Sequence, residues 1–196
     1  DAALSDLAAS VEALAELLDA DSVNWRFFSK RVVTPAAGLA SSLGEATRNN
    51  ADRRTLAAIY EQLAGWHVLF APKDPREQQA ALGLYERAAE LEPTPKREVE
   101  REIAFIYSPL WKADRRQLQR LRRVGEKHRD DRDDLVAAGA KICLGMAALG
   151  ESRGIVGDRQ SRAARLRAAI ETLGKAAQRL RPLPTAPAVE RRIVSC

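Results

Sequence analysis

The chain has 196 residues, of which 45% are apolar and 5% aromatic, and a formal net charge of +5. That length allows one good core, and a balance so poor in aromatics excludes a sheet built from β-branched and aromatic side chains. Two cysteines exclude a disulfide framework, no apolar run has the roughly 18 residues of a membrane span, and no charged-then-apolar signal segment opens the chain. The expectation is a soluble all-α protein in a compartment the residues do not specify. A chain that opens on Asp1 rather than Met fits a processed product or a piece of a longer protein.

Apolar periodicity and capping residues predict helices over residues 2–19, 22–33, 35–48, 51–70, 75–92, 95–107, 110–128, 131–149 and 158–181, about nine in all, with no strand. In the first, Leu4, Leu7, Val11, Leu14 and Leu18 fall at three-four spacing. The second carries Trp25, Phe28 and Val32 on one face with Phe27 turned away, so that both faces are expected to meet neighbouring helices. Leu56, Ile59, Leu63, Trp66 and Phe70 stripe the fourth, and Leu166, Ile170, Leu173, Ala177 and Leu180 the last.

Four helix starts are marked by a capping oxygen before a proline: Thr34-Pro35, Asp74-Pro75, Thr94-Pro95 and Ser108-Pro109. Asp74 is followed three residues later by Glu77, close to a capping-box pattern. Asp130 to Asp134 opens the helix over 131–149, where carboxylates offset the exposed N-H groups; a calcium loop would need more length before the helix begins. Most connections are short, which makes consecutive helices antiparallel neighbours. The longer loop is Gly150 to Gly157. Residues 1–181 read as a single helical domain, and 182–196 as a Pro-rich tail that is extended or docks by a few side chains such as Val189 and Ile193.

The middle of the chain carries Ala81-x3-Tyr85-x2-Ala88-x4-Pro93 on a helix that opens at Asp74-Pro75. With Leu63, Trp66, His67 and Phe70 before it, the segment Leu63 to Pro93 resembles a tetratricopeptide repeat. Small residues at 81 and 88 admit a neighbouring helix, Tyr85 fills between them, and Pro93 stops the helix. His67 stands where the family prefers Gly or Ala, and the turn around Pro72 is longer than usual. Ala177-x4-Pro182 is a weaker echo. The resemblance implies antiparallel hairpins stacked as a tetratricopeptide-like α-solenoid or bundle, whose first helices line a groove for partners; on that reading Tyr60, Trp66 and His67 face the groove.

Charge is divided unevenly, −5 over residues 1–100 and +10 over residues 101–196. The helix after Ser108-Pro109 aligns Arg116, Arg120, Arg123 and Lys127 in one stripe, widened by Arg115, Arg122 and Arg129, opposite a buried side of Leu118, Leu121 and Val124. Such a stripe grips phosphates, or is a solvated face paired with the acidic N-terminal half. Glu98 with Glu102, and Glu86 with Glu90, read as solvent-facing carboxylates among arginines. Cys143 lies in an apolar helical stretch and reads as an inert buried thiol; Cys196 is terminal. No phosphate loop, nucleophile elbow or metal-ligand spacing occurs, so no catalytic set, cofactor or metal is expected.

These features point to a non-enzymatic scaffold or adaptor that binds another protein, within a complex or a longer chain. A basic module that binds nucleic acid or an acidic surface through residues 115–129 is the alternative. A degenerate catalytic domain with chemistry in the loop Gly150 to Gly157 is a third reading.

Overall fold

The computed structural model describes residues 2–18, 23–46, 49–153 and 159–180, all helix, turn or coil and with no strand. The elements are α1 (Ala2–Leu17), α2 (Trp25–Phe28), a π-helical turn (Ser29–Val33), α3 (Thr34–Ala46), α4 (Asn50–Phe70), α5 (Pro75–Leu91), α6 (Pro95–Tyr107), α7 (Arg115–His128), α8 (Asp134–Arg153) and α9 (Arg159–Leu180). Since α2, the π turn and α3 run on without a break, the described residues form eight continuous helices, where the sequence suggests about nine.

The missing break is at Thr34-Pro35. An N-cap needs extended backbone, but Thr34 is helical (φ −62°, ψ −48°), and its N-H donates to Ser29 O, five residues back. The wide π turn absorbs the proline instead of ending the helix. Asp74-Pro75 behaves as expected: Asp74 is extended, its carboxylate accepts from Arg76 N-H at 2.9 Å, and α5 starts at Pro75. Thr94 Oγ1 accepts weakly from Arg97 N-H at 3.3 Å as α6 opens at Pro95.

Ser108-Pro109 starts no helix. The Ser108 hydroxyl donates back to Phe105 O at 2.8 Å and so closes α6. The next helix begins five residues later than expected, at Arg115, capped by Asp114, whose carboxylate accepts from Gln117 N-H at 2.9 Å. At the far end α8 begins after Asp133, which accepts from Leu135 N-H at 2.8 Å, and it runs on through Gly150 to Arg153. Of the expected loop Gly150 to Gly157, residues 154–157 lie outside the described residues, as does the tail 182–196 with Val189, Ile193 and Cys196.

The sequence reading takes residues 1–181 as one domain; the helices group into two compact units, residues 1–97 and 98–196, divided within α6. In the first unit α4 is central. It packs on α1 and α3 and forms a hairpin with α5, burying Leu56, Leu63, Ala64, Ala81 and Ala88 almost completely. Arg53 ties the hairpin ends by donating to Leu91 O at 3.3 Å, and buried Arg97 bridges Glu61 (3.0 Å) and Glu92.

In the second unit α8 is the central helix, and close approach is written into its glycines. A Cβ at Gly139 would lie 2.4 Å from Val99 Cγ1 of α6, at Gly145 2.6 Å from Leu173 Cγ of α9, and at Gly150 2.4 Å from Leu118 Cδ2 of α7. Three neighbours thus sit closer to α8 than any side chain permits. On α9, Ala169 and Ala176 are buried and Leu173 of the expected stripe lies against Gly145, whereas Ile170 of that stripe is 69% exposed. Contrary to the expectation of no spanning run, α8 is long and apolar enough, by length and composition, to cross a membrane; 56% of that stretch is buried in the structure. Val99, Ile103, Leu121, Val124 and Cys143 complete this core, with Trp111 and Met146 packed against it.

Candidate functional site

Tyr60, Trp66 and His67, expected along a partner groove, all lie on α4 in the interior of the first unit, 3%, 2% and 8% exposed. Aromatic packing covers Trp66 and His67. Phe28 meets Trp66 edge-on at 5.3 Å, Trp25 meets His67 edge-on at 5.2 Å and stacks on Phe70 at 5.5 Å. The helix that carries Trp25 and Phe28 therefore occupies the face of α4 that the repeat resemblance leaves open. Only one side of α2 is used in this way: Phe27 is 64% exposed, with the Arg31 guanidinium 5.9 Å from its ring centroid. Tyr60 has the Arg87 guanidinium 5.7 Å from its ring.

His67 has a structural partner. Its Nδ1 lies 2.6 Å from Glu77 Oε2 in the first turn of α5, so the carboxylate three residues after Asp74 reaches across the hairpin instead of completing a capping box. The pair bridges the longer turn and gives the histidine a reason to stand where a small residue is usual.

The basic stripe is on α7 in the second unit, and its four residues divide into two classes. Arg120 Nε lies 2.8 Å from Glu102 Oε2, and its guanidinium is 5.0 Å from the Phe105 ring centroid; Lys127 donates to Glu98 at 2.7 Å. Arg116 and Arg123 are exposed and have no carboxylate partner among the described residues. Outside the stripe, Arg122 pairs with Glu151 at 2.6 Å. The compensating carboxylates thus stand in this same unit, on α6 and α8.

Glu98 and Glu102 depart from the sequence reading, which set them facing solvent. Glu102 is fully buried, held by Arg120 and by Arg101 Nη2 at 2.9 Å. Glu98 Oε2 lies 2.6 Å from Nε2 of buried His128. Burial by itself would raise the Glu98 carboxyl, but the hydrogen bonds and charges of Lys127 and His128 together hold its pKa below the ordinary carboxylate value. A signal was present in the sequence: two carboxylates four apart on α6 run antiparallel to cations on α7, as a helix-to-helix ladder requires.

Cys143 is buried on α8. Desolvation, and then the negative charge of Glu102, push its thiol well above the ordinary value, which makes it a poor nucleophile. The buried side chains His67, Arg97, Glu102 and His128 each have a polar partner on another element: Arg97 and Glu102 are ion-paired with Glu61 and Arg120, and the His67 and His128 rings lie within hydrogen-bond distance of Glu77 and Glu98. Among the described residues no three His, Cys, Asp or Glu side chains gather as a metal site would need.

Among the exposed side chains are large apolar ones, Phe27, Leu39, Tyr107, Leu110 and Ile170, and the arginines Arg115, Arg116 and Arg123. No protein-family model, curated protein or solved structure matches the chain.

Proposed function

We propose that the chain is a non-enzymatic helical scaffold or adaptor, built of antiparallel hairpins in the manner of a tetratricopeptide array, that binds a partner protein. The observation that carries the proposal is the division of labour among side chains. Buried Arg97 and Glu102 serve interhelix ion pairs, while large apolar groups such as Phe27 and Leu110 are left outside, where a folded chain gains nothing from them. The hairpin of α4 and α5 supports the repeat-like part of the reading: Ala81, Tyr85 and Ala88 are 1%, 7% and 0% exposed, as packing positions of such a unit would be. Partner contact through Trp66 and His67 would require Phe28 and Trp25 to leave, and Tyr60 is buried, so the reading places recognition on outward-facing residues.

Nucleic-acid binding through α7 is the second reading, favoured by exposed Arg115, Arg116 and Arg123 and weakened by the carboxylates already on Arg120, Arg122 and Lys127. A photoreactive side chain placed in turn at Phe27, Leu39, Leu110 and Ile170 of the full chain, irradiated in an extract of its native cells, separates the two. A discrete protein adduct at one or more positions is expected. Adducts to nucleic acid alone, or none at any position, would overturn the scaffold reading.

A further inference from the structure

We infer that the corner joining α6 to α7 docks an acidic protein segment that carries an apolar side chain; this rests on the scaffold reading above and gives it a site. Two large apolar residues stand outside at this corner three positions apart, Tyr107 at 43% and Leu110 at 48% exposed. They sit on a tightly held piece of backbone. Trp111 N-H donates to Ser108 O at 3.1 Å, and the Trp111 ring packs edge-on to Phe105 at 5.9 Å and against the core of the unit. Gln117, in the first turn of α7, clamps the corner from the other side: its Nε2 donates to Leu110 O at 3.3 Å and its Oε1 accepts from Lys112 N-H at 2.9 Å. Between these bonds Ala113 is held at φ 54°, a left-handed conformation that a non-glycine residue adopts only when its surroundings impose it. Apolar anchors on a fixed backbone can be engaged without first being ordered.

The charge around the anchors selects the partner. Lys112, Arg115 and Arg116 are exposed and have no carboxylate partner among the described residues, and the first turn of α7 contains no acidic residue. The positive end of the helix dipole adds to the same potential, so the cations stand where carboxylates would be more stable. The acidic side chain in the corner, Asp114, is occupied in capping α7. An acidic partner compensates this excess, and charge complementarity also speeds and orients encounter. A phosphate backbone fits less well. It offers nothing to Leu110, and the cations that would continue its track, Arg120 and Lys127, are already paired with Glu102 and Glu98.

The test uses the full chain and fluorescence anisotropy with short labelled peptides. One alternates Glu and Leu, one alternates Glu and Ser at equal charge, and one alternates Lys and Leu. Leu110→Ser and Arg116→Glu change exposed side chains, Ile170→Ser is a distant exposed control on α9, and circular dichroism verifies that each variant is folded. Saturable binding of the Glu-Leu peptide is expected, weakened about tenfold by Leu110→Ser and by Arg116→Glu and unchanged by Ile170→Ser. Equal binding of the Glu-Ser or Lys-Leu peptide, insensitivity to Leu110→Ser, stronger binding of a short single-stranded oligonucleotide, or no binding would each overturn the inference. Protein adducts found at Phe27, Leu39 or Ile170, with the corner inert, would remove this site and leave the scaffold reading standing.

Discussion

Gly139→Ala sets two well-known effects against each other on α8. Within a helix, alanine is favoured over glycine by up to about 1 kcal/mol. Here the new Cβ would meet Val99 Cγ1 at 2.4 Å and Ile103 Cδ1 at 3.0 Å, against ordinary carbon contacts of about 3.5–4.0 Å. Val99 is 1% exposed and β-branched, so its methyl group has no alternative rotamer and nowhere to move. The helices must separate, and overpacking of this kind costs about 1–3 kcal/mol. The expected net loss is about 1 to 2 kcal/mol, read as a lower urea midpoint at unchanged slope. Gly83→Ala on α5 and Gly174→Ala on α9, where an added Cβ meets nothing within 4 Å, should instead stabilise by about 0.5–1 kcal/mol. In a Val99→Ala background Gly139→Ala should cost less, because its nearest obstacle is gone and only the flexible end of Ile103 remains. If Gly139→Ala raised the midpoint in the parent chain as the two controls do, the close approach of α6 to α8 would be refuted.

Arg120→Ala should destabilise by about 3 kcal/mol, since it strips a fully buried carboxylate of a cation, whereas Glu102→Gln should cost about 1–2 kcal/mol because the freed Arg120 and Arg101 can reach water; chemical denaturation that reversed this order would contradict the burial of Glu102. The lowered pKa of Glu98 implies stability that is complete above its ordinary value of 4.5 and is lost as pH falls through the lower folded value, so the advantage of the parent over Glu98→Gln should shrink on acidification; a gap that widened below that pH would have the wrong sign. Cys143 in a Cys196→Ser background should resist a disulfide reagent until denaturant is added, and fast labelling of the folded chain would show the thiol to be accessible.

The sequence revealed helix content and several boundaries well because those signals are local. Asp74 before Pro75 is a complete instruction, a side-chain acceptor next to a residue that needs no donor. Thr34-Pro35 and Ser108-Pro109 carry the same letters with a different outcome. In one the preceding turn widens to keep the helix going, and in the other the hydroxyl finds the carbonyl of Phe105 first. On α9 the expected stripe holds at Leu173, which meets Gly145 of α8, and departs at Ile170, where the neighbouring Ala169 and Ala176 are the buried positions. The stripe on α7 was legible as a pattern, but its pairing was not, since Glu98 and Glu102 meet it only once α6 lies alongside. Likewise His67 and Trp66 are removed from the surface by α2, whose packing on α4 is a tertiary contact that periodicity does not encode. The corner at Leu110 left no trace in periodicity, because the sequence reading ran a helix through it.

The most direct test of the account is affinity capture with the full chain from its native cell extract, beside an Arg116→Glu, Arg123→Glu double variant, with half of each sample treated with nuclease. The account predicts one defined set of proteins, recovered equally with and without nuclease. Recovery of nucleic acid alone, lost in the variant, would contradict it and make α7 a phosphate-binding helix.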